Sequence, residues 1–287
     1  MEDIVERAAR DLMNSKYAIA LTGAGMSTES GIPDFRGPDG LWTKHPELEF
    51  QAYRMYDEFK VNPKAYWEER LNPEGWIWSF FEGLKKGVKP NPGHYALAEL
   101  EQMGILKCVI TQNVDELHQE AGNRNVIEYH GGLSKFRCDS CGRRFHRDKI
   151  DLERLKREDK LPPYCDCGGA IKDDGVFFGE PIPGDVLQNS QQEAWGCDLM
   201  LICGTSAVVY PFASLPELAR TRRSGRQTTR DLDLYAIQHV PSTVIIEVNA
   251  EPTPLTKSGI SDYIIQGKTG EILPRIVQEV RRLRGLR

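Results

Sequence analysis

No stretch of this 287-residue chain is apolar for long enough to cross a bilayer. The longest apolar runs, in DLMLICG and STVIIEV, fall far short of the roughly 20 residues a membrane helix needs. Excess positive charge is missing too. Lys and Arg number 37 against 42 Asp and Glu, a net charge of −5, so nothing draws the chain as a whole to nucleic acid or an anionic membrane. The opening MEDIVERAARDLMNS lacks the basic start and apolar centre of a secretory signal. Internal repeats and long low-complexity segments are absent. Cysteines number seven, and an odd set cannot complete a disulfide framework. These absences lead to a soluble, cytoplasmic protein with no membrane partner and no direct nucleic-acid partner. What remains is an ordinary globular composition, 40% hydrophobic and 28% charged, with ample length for a large core.

Apolar runs that end in polar clusters organise the chain. YAIALTGAG, GILKCVITQNVDELH, CDLMLICGTSAVVYP and STVIIEVNAEPT share this form, and SDYIIQGKTG is a shorter fifth case. Such runs read as buried parallel strands, and the helical patterns GHYALAELEQMG and EILPRIVQEVRRLRG lie between or after them. The expected fold class is α/β, a Rossmann-like parallel sheet whose ligand crevice lies beyond the strands' carboxyl ends. Two segments break the alternation: residues 38–90, rich in aromatics and proline (Trp42, Trp67, Trp76, Trp78), and residues 133–175. The expected division is a discontinuous sheet domain over 1–37, 91–132 and 176–287, with a helical insertion (38–90) and a metal-binding module (133–175) forming a small domain. The stretch 219–242, basic at first, reads as a solvated surface loop.

Three motifs carry chemistry. Cys138-x2-Cys141 and Cys165-x-Cys167, in a polar stretch with glycine turns, match a closed tetrahedral zinc site, one structural Zn²⁺. Cys108, Cys197 and Cys203 read instead as small buried hydrophobes. Next, Gly23-Ala24-Gly25 follows a strand like a phosphate loop, with the hydroxyls of Ser27, Thr28 and Ser30 behind it suited to a pyrophosphate. The chain then runs into a loop, IPDFRG, where a helix is usual. Asn249 and Glu251, at the end of a later strand, are candidates for the adenosine ribose. Last, Gln112, Asn113 and Asp115 end a strand and face the crevice, and His130, followed by two glycines, lies between them and the metal module, where a general base is useful. His45, His94, His146 and His239 read as structural.

In order along the chain, GAGMSTESGIPDFRG, TQNVDELH, EYHGG, the two cysteine pairs, VFFGE, GTSAVVYP and VNAEP resemble the sirtuin family of NAD-dependent protein-lysine deacylases over nearly the whole sequence. The resemblance implies that NAD is a consumed co-substrate. Gly23, Ala24 and Gly25 would hold the pyrophosphate, while Asp34, Phe35 and Arg36 would lie on a loop closing over the nicotinamide half. Gln112, Asn113, Val114 and Asp115 would line the ribose and nicotinamide pockets. Gly204, Thr205 and Ser206 would contact phosphates and ribose, Asn249 and Glu251 the adenosine end, and Thr269 the adenine. His130 and Asn113 would be catalytic, His130 taking a proton from a ribose hydroxyl with a pKa near neutrality. An acyl-lysine peptide would lie extended beside a strand formed by Val176, Phe177, Phe178, Gly179 and Glu180. An ADP-ribosyltransferase on the same scaffold is the alternative activity, and a non-catalytic NAD-responsive binding module the alternative class.

Departures from the family pattern bear on substrate. Asp173 and Gly175 stand where proline and an aliphatic residue are usual, so the peptide strand is expected to be looser and the added acids to favour basic peptides. Glu116 is bulkier than the small residue common at its place. Sirtuins that prefer succinyl-type groups carry a tyrosine and, three residues on, an arginine in the helical insertion. With Trp67 placed on the family's aromatic, these positions fall on Arg70 and Pro73, and the nearest Tyr–Arg pair, Tyr66 and Arg70, is spaced by four and flanked by Glu68 and Glu69. Neutral acyl groups are the expectation.

Overall fold

The structure, a computed structural model, describes residues 3–77, 79, 83, 87–221 and 243–286. Trp78, His239 and the basic stretch from residue 222 to 242 lie outside the described residues. Nine strands are found among the described residues: β1 (Ala18–Thr22), β2 (Leu106–Thr111), β3 (Val126–Glu128), β4 (Lys135–Cys138), β5 (Arg144–His146), β6 (Ile171–Asp173), β7 (Leu199–Cys203), β8 (Val244–Asn249) and β9 (Tyr263–Gln266). Six form one sheet in the order β3-β2-β1-β7-β8-β9, every pairing parallel. The five apolar runs are all strands of it. The sixth, β3, is Val126, Ile127 and Glu128 only, too short to stand out as an apolar run.

Both faces of the sheet are covered, which is why its central strands β1 and β7 are apolar without alternation and buried throughout. Ala18, Ala20, Val109, Leu201 and Val248 face helices Ile4–Asn14, Pro92–Gln102 and Thr269–Leu283, which contribute Leu12, Leu97 and Ile276. Ile19, Leu21, Ile110, Met200 and Ile245 face the opposite layer, with Ala194 and Leu215 from helices Gly184–Gly196 and Leu215–Thr221. Cys108, Cys197 and Cys203 are buried in these two layers.

A third core lies apart from the sheet. Helices Pro46–Val61 and Pro63–Arg70 give it Phe59, Tyr66 and Trp67, and the antiparallel sheet β5-β4-β6 gives it Phe136, Cys138 and Ile171. Trp67 Nε1 donates to the Ile171 carbonyl at 2.7 Å, so the two insertions bury one another's aromatic face. Each would lack a partner for that face alone.

Candidate active site

With the small antiparallel sheet set aside, the strand order reads 3-2-1-4-5-6, and the order reverses between β1 and β7. A parallel sheet leaves a crevice at that point, because successive connections leave to opposite sides. The loops after β1, β2, β7 and β8 all open at this carboxyl edge. Gly25 N donates to the Gly204 carbonyl at 2.8 Å. A Cβ on Gly25 would sit 2.9 Å from that oxygen, and Gly204 has φ of +59° with Met26 N 2.3 Å from where its Cβ would be. The phosphate loop and the β7 loop therefore interlock through backbone, and only glycine permits it. Behind them, Ala24–Met26 and Thr28–Ser30 are short 3₁₀ turns, not a long helix.

Polar side chains join the loops across the edge. Gln112 Nε2 donates to Thr205 Oγ1 at 2.8 Å. Asn113 Nδ2 donates to the Gly23 carbonyl and to Ser27 Oγ, both at 3.0 Å, and Ser27 Oγ donates to Asp115 Oδ2 at 2.6 Å. Burial raises the Asp115 pKa, opposed by the bonds from Ser27 and the Leu117 amide. Ser27 is the hub of this chain and is buried, whereas Thr28 turns its exposed hydroxyl back to the Gly25 carbonyl. Of the hydroxyls expected behind the loop, Ser27 turns inward to Asn113 and Asp115, and Thr28 turns outward. The signal available was only that both are hydroxyls after the second glycine.

His130 follows β3 and stands beside this cluster. Its Nδ1 lies 3.2 Å from the Gln112 carbonyl, which places the proton on Nδ1 and leaves the Nε2 lone pair available as a base. Burial lowers its pKa to about 4, with the Gln112 carbonyl acting the other way. The ring is thus neutral at pH 7 in the free protein, a correction to the expected value near neutrality. Gly131 has φ of +79° and lies so close to the Asp174 backbone that a Cβ would meet its carbonyl oxygen at 2.2 Å. The close approach expected beside His130 is made by the metal module.

Adenosine-side candidates gather at the far end of the same edge. Asn249 is buried at the end of β8, with Nδ2 3.4 Å from the Glu247 carboxylate. Glu247, unremarked in the sequence because it interrupts an apolar strand, also accepts from Thr253, Thr256 and Ser261 hydroxyls. Glu251 is exposed. Glu29 holds the Gly270 amide at 2.7 Å, which brings Thr269 beside the phosphate loop. Thr269 is buried there, and among the described residues its Oγ1 has no hydrogen-bond partner. The backbone interlock of Gly25 with Gly204 at this edge fits the phosphates of a dinucleotide.

Other expected residues lie less centrally. Asp34 closes a turn by accepting from the Gly37 amide at 2.8 Å, and Phe35, partly exposed, packs on Trp42 with ring centroids 5.1 Å apart. Arg36 is directed to Glu49 at 3.5 Å and does not join the cluster. The Val114 carbonyl accepts from Leu133 N at 3.0 Å, while Ser206 is exposed beside the buried Thr205. Residues 176–180 are not a strand. Val176 N donates to the His130 carbonyl at 2.9 Å, and Glu180 N donates back to the Phe177 carbonyl at 3.1 Å across Gly179 at φ +80°. Asp173 is also not available to peptides: it is buried, and accepts from Tyr66 Oη at 2.6 Å, Arg70 Nε at 3.0 Å and the Arg147 guanidinium. The expectation of a basic-peptide preference from that acid falls with it. Glu116, at φ +64°, accepts from Ser134 N at 2.9 Å and bridges the Asp115 loop to β4.

The four thiols of Cys138, Cys141, Cys165 and Cys167 lie within 4.8 Å of one another, with pairs at 3.5 and 3.7 Å. Zinc–sulfur bonds of about 2.3 Å in a tetrahedron put sulfurs ~3.8 Å apart, so the donor set fits zinc. No open position for a substrate is needed.

A family model described as the Sir2 family matches residues 23–211. The chain belongs to the Sir2 family. It is 43% identical to an NAD-dependent protein deacylase of Pyrococcus abyssi over 98% of this chain and 99% of that one. It is 42% identical to NAD-dependent protein deacylase 2 of Archaeoglobus fulgidus over 99% of each. Among solved structures, this Sir2 protein resembles a mutant Sir2 homologue in an ADP-ribose complex (TM-score 0.72, 37% identity, 100% of this chain and 99% of that one). It also resembles Sir2Af2 bound to a myristoylated histone peptide (TM-score 0.66, 37% identity, 99% of each). Among the described residues, no helix is long and apolar enough to cross a membrane.

Proposed function

We propose that this Sir2 protein removes acyl groups from protein lysines, with NAD as co-substrate and one water consumed, yielding nicotinamide, O-acyl-ADP-ribose and free lysine. The observation that carries the reading is His130, whose Nδ1 is fixed on the carbonyl of Gln112, a member of the polar cluster, so that Nε2 is the basic nitrogen. NAD supplies a ribose carbon from which nicotinamide can leave. Gly23, Ala24 and Gly25, with Gly204, Thr205 and Ser206, hold its phosphates, and Asn249, Glu251 and Thr269 hold its adenosine. Asn113 and Asp115, cross-linked through Ser27, orient the ribose and carboxamide. Phe35, on its loop with Asp34 and Arg36, excludes water from the reacting carbon. His130 accepts a proton from a ribose hydroxyl.

The acyl-lysine peptide lies against residues 176–180, next to the His130 backbone. Neutral acyl groups suit this protein, because Asp173 already engages the Tyr66 hydroxyl and the Arg70 guanidinium that could otherwise clamp a distal carboxylate. The sheet domain holds NAD, and the two insertions, 38–90 and 133–175, form a small domain around one zinc. Seven cysteines without a disulfide suit the reducing cytoplasm. The test is incubation with NAD and an acetyl-lysine peptide, followed by mass analysis. Nicotinamide release in step with peptide deacetylation and O-acetyl-ADP-ribose is expected. ADP-ribose attached to protein with the acetyl group retained would overturn the assignment in favour of transferase activity.

A further inference from the structure

Lys172 has no role in the chemistry above, yet it is fully buried on β6, where charge is expensive unless every donor is used. All three are used. Nζ donates to the Gly175 carbonyl at 2.7 Å and the Asp173 carbonyl at 2.9 Å, and pairs with Glu180 Oε2 at 3.0 Å. It also lies 4.2 Å from the centroid of the Phe177 ring, a cation–π contact. Its acceptors therefore bracket one short segment, from the end of β6 to Glu180.

Glu180 completes the clamp from the other side. Its Oε2 accepts the Phe177 amide at 2.9 Å, and its Oε1 accepts from Arg137 on β4 at 2.5 Å. Residues 176–180 have no ladder of their own, since they form a turn outside any strand. Val176 N is tied to the His130 carbonyl, while the side chains that grip the rest of the turn, Arg137 and Lys172, belong to β4 and β6 and not to the parallel sheet. A hydrophobic residue at 172 would pack in the same space but could hold neither carbonyl nor carboxylate.

We propose that Lys172 is a positioning residue for peptide recognition: it shapes the 175–180 turn so that main-chain groups are presented to an extended acyl-lysine peptide. The proposal rests on the reading that residues 176–180 bind the peptide. It assigns the buried ammonium a task in affinity for one substrate and none in NAD binding or in the proton transfer at His130. An effect confined to one substrate's binding appears in its KM with kcat retained.

The test compares Lys172→Met, which keeps the apolar stem and removes the ammonium, with the wild-type protein at full zinc content. Peptide KM is expected to rise about ten- to thirtyfold, the effect of losing one or two main-chain hydrogen bonds. NAD KM and kcat should stay within about twofold. An unchanged peptide KM overturns the proposal, as does a parallel change in both KM values and kcat, which marks general loosening. If Lys172→Met does not accumulate as zinc-loaded protein, Lys172→Gln, which keeps donors to a carbonyl and loses the charge that pairs with Glu180, decides by the same ratio of peptide KM to NAD KM. Gly179→Pro separates this inference from the reading beneath it. If it leaves peptide KM untouched, residues 176–180 are not the peptide site. If it raises peptide KM while Lys172→Met does not, only the role of Lys172 fails.

Discussion

Replacing Asp173 by alanine removes the charge on which the helical insertion and the zinc module meet. The carboxylate is 2% exposed and accepts from Tyr66 Oη at 2.6 Å, Arg70 Nε at 3.0 Å and the Arg147 guanidinium. Arg70 is buried to the same degree, whereas the Arg147 side chain keeps 20% of its exposure and can recover some hydration. Breaking a buried pair while one charge stays inside costs about 3–5 kcal/mol. Set against a total of roughly 5–15 kcal/mol, that is a large share of the stability. At roughly 2–4 °C per kcal/mol for chains of 150–250 residues, the melting point should fall by about 10 °C. The assay is urea and thermal unfolding at saturating zinc, with Asp173→Asn, which keeps the shape and loses the charge, expected in between. Burial alone would raise this carboxyl's pKa, but Arg70 and Arg147, with the Tyr66 hydroxyl, hold it below its usual value. Its contribution is therefore complete above the unfolded value of about 4 and lost as pH falls below that. The gap between wild type and variant should be flat from about pH 5 to 8 and narrow in stronger acid. A variant within about 1 kcal/mol of wild type at pH 7 would refute the reasoning.

His130→Ala should retain the fold and NAD binding and lose deacylation by about 10²–10⁴-fold, and near-normal turnover would remove it from the mechanism. Because its pKa is lowered to about 4, kcat/KM for NAD should hold as pH drops from 8 to about 5.5, and a midpoint above 6 would contradict the assigned environment. One zinc per chain is expected by metal analysis, and its removal should unfold the small domain, so unchanged melting and activity after full stripping would refute a structural metal. On one peptide carrying acetyl-, myristoyl- or succinyl-lysine, kcat/KM should be lowest for succinyl, and a fastest succinyl reaction would overturn the acyl-pocket assignment.

The sheet was legible because a parallel strand buried on both faces is an uninterrupted apolar run, and the crevice because those runs end in polar clusters. The cysteine pairs were legible because metal geometry constrains spacing. Less visible were features decided by contacts between distant segments. β3 carries only three residues, too short a run to stand out although two of them are apolar, so only its pairing with β2 reveals it. Ser27 and Thr28 are chemically alike, and only the fold of the 3₁₀ turn decides which hydroxyl faces Asp115. Asp173, like Lys172, reads as a surface charge in a polar stretch until the opposing helix supplies Arg70 and Tyr66. VFFGE has strand-forming residues, yet Glu180 turns back on Phe177 and ends any ladder before it starts.

The strand order has a consequence for the chain as it leaves the ribosome. β1, complete at Thr22, pairs with β2 on one side and β7 on the other, and β7 begins at Leu199. At ~5–20 residues per second, synthesis of the intervening chain takes about 10–35 s. During that interval every residue of the cysteine module has been made, and it can close on its metal, while one edge of the central strand still waits for a neighbour. An apolar edge held open is a template for pairing with other chains. A messenger truncated between the codons for Asp173 and Leu199 would thus yield a metal-loaded but adhesive product, in which the interlock of Gly25 with Gly204 could not form.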